Sequence, residues 1–297
     1  MILIKKLIFV PLFLISLTLL IHQITPLLAS YDFIFSLSLN TLITLINISI
    51  LISLSSLLFI LCATIAADWR ISLSAAIIGS AITFIFMDPA FAVIFTVAIF
   101  ISFLLSNLNL DVALKSYLNF QPSSLLSPPI RHLSGLLILA ICIVYFFSTS
   151  KIIGQNGFQI PDSLIDTAIK MVPLPETNTQ TEQANLPQIT GEQIELLKKN
   201  PELLKQSGLD NITQPPASLT NDLIKQTAKD QIQNFIKPYI NFVPAGLAVL
   251  LFFTLQFFTS ILNLLIYPLL WLTFFILEKT GFVKFTTDMR PVKKMVT

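Results

Sequence analysis

The chain is dominated by long runs of Leu, Ile and Phe that contain almost no ionisable residue. Between Lys6 and Asp68, for example, Asp32 is the one charged residue. Such a surface is insoluble in water unless lipid covers it. A span needs only about 20 apolar residues, because helix has a 1.5 Å rise and the hydrocarbon core is about 30 Å thick. The expected fold class is therefore all-α, a multipass helical integral membrane protein with about six transmembrane helices and an extracytoplasmic helical insert.

Charge sets the orientation. Lys5 and Lys6 precede the first apolar run, Leu7 to about Leu28, and the positive-inside rule places that head in the cytoplasm. The run resembles a signal peptide but exceeds a usual signal core, so it reads as an uncleaved first span. The second span is placed at Thr41–Ala66, with Tyr31–Asn40 at the outer interface. Asn47, Ser49, Ser53, Ser55 and Ser56 give it a polar face suited to interhelical hydrogen bonds or, less economically, to a ligand path.

Asp68-Trp69-Arg70 marks the inner interface as a solvated pair beside an interfacial aromatic. The third span is expected over Ile71–Met87. Its Ala75/Gly79 and Ala76/Ser80 pairs put small residues on adjacent turns and admit a close helix neighbour. Asp88-Pro89 reads as a tight outward turn before a fourth span, Ala90–Leu105. Asn107–His132 is polar and proline-bearing, and reads as a cytoplasmic loop with a short interfacial helix at Asp111–Leu118. The fifth span is expected at Leu133–Phe147.

Three regions follow: residues 1–150 with about five spans, an external soluble insert at 151–238, and a C-terminal membrane region with a basic tail at 239–297. The insert holds 10 of the 16 acidic residues, so its composition differs sharply from the spans. Amphipathic stripes are read at 162–172 and 220–236, and Thr190-Gly191-Glu192-Gln193 fits a capping box. Residues 173–188, rich in Pro, Thr, Gln and Asn, read as a flexible linker. Asn211-Ile212-Thr213 matches a glycosylation acceptor that matters only in a eukaryotic secretory pathway.

Val243–Leu277 is apolar for 35 residues, too long for one ordinary span. Either one span, Val243–Leu262, is followed after Asn263 and Pro268 by an interfacial helix, or two short spans form a hairpin. The basic tail (Lys279, Lys284, Arg290, Lys293, Lys294) favours the single span with a cytoplasmic C-terminus. Tyr267 and Trp271 then mark the inner interface. The tail either contacts anionic headgroups or acts as a topology signal.

Chemistry-bearing patterns are scarce. Glycine-rich phosphate loops, nucleophile elbows, His-Glu-x-x-His and Cys-x-x-Cys do not occur. Cys62 and Cys142 lie in separate apolar runs and read as small packing residues. His22 and His132 are expected on opposite sides of the membrane, where they cannot share a metal. Asp88 is the most buried-looking carboxylate, explained by the turn before Pro89, with Lys151 as its nearest cationic candidate. No catalytic, cofactor-binding or metal residue is therefore assigned. A net charge of +2 is too small for a nucleic-acid partner. Lysine supplies 15 of the 18 basic residues, the bias of an AT-rich bacterial genome.

By elimination the reading is a non-enzymatic plasma-membrane scaffold or adaptor that presents the 160–236 segment to a partner. A transporter or channel subunit is the alternative. It is disfavoured by the lack of intramembrane charges and broken helices.

Overall fold

The computed structural model describes residues 8–35, 38–66, 68–116, 121–158, 233 and 236–283. The linker, the helices read in the insert, the glycosylation acceptor, the basic head and most of the basic tail lie outside these residues. The chain divides into two units, residues 1–158 with 239–297, and residues 159–238.

Within the first unit the described residues form helices and turns. The helices are α1 (Phe9–Ala29), α2 (Asp32–Phe35), α3 (Leu39–Ala66), α4 (Trp69–Ala81), α5 (Thr83–Phe86), α6 (Pro89–Ser116), α7 (Pro122–Asn156) and α8 (Val243–Lys279). A 3-10 turn at Lys237–Phe242 leads into α8. With α4 and α5 taken together, six helical segments among the described residues are long and apolar enough to cross a membrane. The protein has the architecture of a multipass helical membrane protein.

The helix α3 lies at the centre. It packs against α1, α4, α6, α7 and α8, and 67% of its apolar window is buried, against 28% for the segment containing α8. At its heart are Phe13 of α1, Phe59 of α3 and Phe103 of α6, each at most 1% exposed. Phe59 stacks on Phe103 at 4.5 Å between centroids, and Phe13 meets the two rings at 5.3 and 5.2 Å. Lipid tails are as apolar as these rings, so in a bilayer close packing rather than escape from water would drive the association.

Close approach is visible where α4 meets α1. A Cβ built on Gly79 would lie 2.9 Å from Leu17 Cδ2 and 3.3 Å from Phe13 Cε1. Ala75, Ala76 and Ser80 are buried along the same helix. The expected small-residue pairs therefore do form a packing face.

Two expectations are corrected. Asn107–His132 is not a loop, because α6 continues to Ser116 and α7 already begins at Pro122. Pro122 fits the first helical turn, where its missing N–H would have had no partner. Pro128 and Pro129 lie inside the helix, which tertiary packing sustains: Leu126, Pro129, Ile130 and Leu133 are all buried. The fifth span is thus part of a 35-residue helix reaching past Lys151 to Asn156. Gly157 ends it at φ 72°, a left-handed conformation that glycine adopts without a Cβ penalty.

The third span is found over Trp69–Phe86, with one lapse in its helix assignment between Ala81 and Thr83. The intervening Ile82 keeps helical angles (φ −58°, ψ −27°), so hydrogen bonding changes while the direction persists. The second correction is that α8 is one continuous helix of 37 residues that runs through Asn263 and Pro268 without a break. It is neither a hairpin nor a span followed by a separate helix. A proline inside a helix removes one hydrogen bond, and lipid offers the freed carbonyl no competing partner, so kinking is favoured over ending the helix.

Candidate functional site

Polar side chains inside a bundle in lipid must find partners within it, so their partners indicate what each one does. On α3, Ser49 Oγ donates to Leu45 O at 2.9 Å and Ser56 Oγ to Ile52 O at 2.8 Å, back-bonds to the preceding turn. Ser55 instead meets Ser16 of α1, with the two buried hydroxyls 2.8 Å apart. Asn47 is exposed. The five residues expected to share a polar face therefore separate: two serve their own helix, one joins α1, and one points away. Ser53 Oγ, buried, has no hydrogen-bond partner.

Further hydroxyls act at helix ends. Ser148 Oγ of α7 donates to Leu28 O at 2.6 Å. Leu28 lies in the last turn of α1, where carbonyls lack partners within the helix, so Ser148 caps that terminus. The interruption in the third span is handled in the same way. Ser80 O accepts from Thr83 Oγ1 at 2.8 Å and from Thr96 Oγ1 of α6 at 3.2 Å, and the two threonine hydroxyls also meet. Hydroxyls thus join the Ile82 N–H at Ser80 O where the helix ladder lapses.

The ionisable candidates stay apart. His22 is exposed, with its ring 5.7 Å from Phe86 near the Asp88 turn. His132 is exposed at the other end of α6, where Asn109 Nδ2 lies 3.2 Å from its Nδ1. The stretch of α6 between Pro89 and Asn109 corresponds to about 30 Å at 1.5 Å per residue. Asp88 is exposed, which corrects its reading as a buried carboxylate; its carbonyl accepts from Ala92 N at 2.8 Å. Lys151 does come to the same end of α6, but its ammonium lies 5.2 Å over the Phe91 ring rather than against Asp88. Asp111 and Lys115 form an exposed i,i+4 pair of little energetic weight. Cys62 and Cys142 are free and buried, on α3 and α7. Among the described residues no group of three or more His, Cys, Asp or Glu side chains could hold a metal.

A second polar face escaped the sequence reading. Gln256, Thr259 and Asn263 lie three and four residues apart on α8, the spacing of one helix face. Their side-chain oxygens Oε1, Oγ1 and Oδ1 are buried without hydrogen-bond partners. Thr254 and Thr273 of the same helix do make the usual bonds to the preceding turn, at 2.8 Å each. Thr259 and Asn263 are 1% and 6% exposed, within a helix that packs on α7 and α3. The spacing was a usable signal, but Asn263 beside Pro268 read more readily as a helix end. Chemically, both faces offer hydrogen-bond acceptors and hydroxyls without a charge.

No known family matches the chain, nor does any curated protein or solved structure.

Proposed function

We propose that the protein is a non-enzymatic membrane scaffold or adaptor, with spans that anchor the 151–238 segment on the outer side for a protein partner. The observation that carries this reading is the filled interior. Phe13, Phe59 and Phe103 occupy the junction of α1, α3 and α6, and Gly79 draws α4 onto the same aromatic and aliphatic side chains. A bundle packed with rings at that junction is built for rigidity rather than for passage. In this reading the N-terminus and the basic tail lie in the cytoplasm.

The test is purification of tagged full-length protein in mild detergent, with mass spectrometry of stoichiometric companions. A companion lost on deletion of residues 160–236 supports the adaptor. A companion retained by that deletion, or a homo-oligomer alone, counts against it.

One observation favours a transporter or channel subunit as a second reading: the unpartnered buried oxygens of Ser53, Thr259 and Asn263. Such groups in lipid are costly, and polar residues there often line solute paths. Solute flux in proteoliposomes that falls with Thr259→Val and Asn263→Leu would support it. Flux equal to that of empty vesicles would exclude it.

A further inference from the structure

The helix α8 is too long for the bilayer it crosses. Its uncharged stretch Val243–Leu277 spans 35 residues, about 52 Å of helix. Fitting this into a core of about 30 Å requires a tilt of roughly 55°, whereas membrane helices tilt by about 20° and rarely beyond 40°. Even at 40° about nine residues remain outside the core.

The overhang belongs at the Lys279 end. At the start of α8, Tyr239 and Phe242 are 58% and 72% exposed, an aromatic set that fixes that end at an interface. At the other end Trp271 stacks on Phe275 at 5.5 Å and 14°, and Lys279 Nζ sits 5.7 Å over the Phe275 ring. These three residues, each one turn apart, form a ladder graded from indole through phenyl to ammonium.

What covers the overhang is indicated by its circumference. Between Leu264 and Leu277 only Ile266, Leu270 and Phe274 are buried, Thr273 and Leu277 are half-buried, and the other positions are apolar or aromatic and exposed. A protein partner would cover one further face, whereas lipid surrounds a helix on every free side. From the end of the helix onward the sequence turns basic: Lys279, Lys284, Arg290, Lys293 and Lys294 against Glu278 and Asp288.

We infer that the Lys279 end of α8 is an interfacial anchor. Its Tyr267, Trp271 and Phe275 lie at the headgroup and acyl boundary, and Lys279 binds an anionic phospholipid surface. Strong tilt or bending then brings the whole apolar length into lipid. The anchor does not depend on whether the protein acts as an adaptor or as a transporter.

The chain has two tryptophans, so Trp69→Phe leaves Trp271 as the sole indole reporter in the full-length protein. It is reconstituted into bilayers containing phosphatidylcholine brominated either near the headgroup or deep in the acyl chain. Stronger quenching by the shallow label is expected. Equal or stronger quenching by the deep label, or quenching by neither, overturns the interfacial placement. In parallel, phosphatidylglycerol retained through purification is measured by native mass spectrometry for the unsubstituted protein and for Lys279→Gln. A loss of about fivefold in lipid affinity is expected for a lysine at the surface. Equal retention by the variant and the unsubstituted protein overturns the charge recognition.

Discussion

A methyl group added to Gly79 would lie 2.9 Å from Leu17 Cδ2 and 3.3 Å from Phe13 Cε1, where both neighbours are fully buried. Two effects oppose each other in Gly79→Ala. Alanine favours helix over glycine by up to about 1 kcal/mol. Overpacking a filled interface costs about 1–3 kcal/mol, because Leu17 and Phe13 must shift together with α3 and α6 behind them. The clash wins, and a net loss of about 1 kcal/mol is expected for Ala. Gly79→Val adds two more carbons on a side chain held in one helical rotamer, so about 3 kcal/mol is expected. The assay is equilibrium unfolding in dodecyl maltoside and SDS mixtures, followed by circular dichroism. The cycle with Leu17→Ala isolates the contact, since deleting Cδ2 opens the space that the new methyl needs. A coupling of at least about 1 kcal/mol is expected between the two substitutions. Unfolding of Gly79→Val at the same SDS fraction as the parent, together with additivity in the cycle, would refute the close α1–α4 contact.

Phe59→Ala should destabilise by about 3 kcal/mol in the same assay, the low end for a buried ring, since the hydrocarbon reference reduces the transfer part. An unchanged midpoint would exclude the three-ring cluster. The cycle of Ser16→Ala and Ser55→Ala should reveal a coupling of about 0.6 kcal/mol, and zero coupling would remove that hydrogen bond. Thr96→Val should destabilise by about 1 kcal/mol, because Ser80 O loses one of its two hydroxyl donors; a neutral result would mean that water serves that carbonyl. Cys62 and Cys142 should resist a maleimide in mild detergent and label fully in SDS, and rapid labelling of either in the folded protein would contradict its burial.

The spans themselves were legible because lipid demands long uncharged runs, and α1 and α3 end within two residues of where their apolar runs stop. The Gly79 face was legible from small residues spaced by four. What failed was punctuation. Pro128-Pro129 and the asparagines after Leu105 read as a loop, yet Leu126, Ile130 and Leu133 are spaced to bury one helix face. The same misreading applied to Pro268 in α8. The interruption at Ile82 has no Gly or Pro to announce it, and only the hydroxyls of Thr83 and Thr96 betray it. The serine cluster of α3 was seen, but the sequence does not say that Ser49 and Ser56 serve their own backbone while Ser55 reaches Ser16.

The central position of α3 also has a consequence for biosynthesis. This helix is made before α7 and α8, which cover two of its flanks. Until then α1, α4 and α6 are the neighbours ready to pair with it, α1 through Ser16 and Ser55. The face that α8 covers must wait in lipid or beside the insertion machinery while the intervening 159–238 segment is synthesised. A chain arrested after Phe158 would therefore carry an incomplete bundle with one side of its central helix open, a natural substrate for membrane quality control.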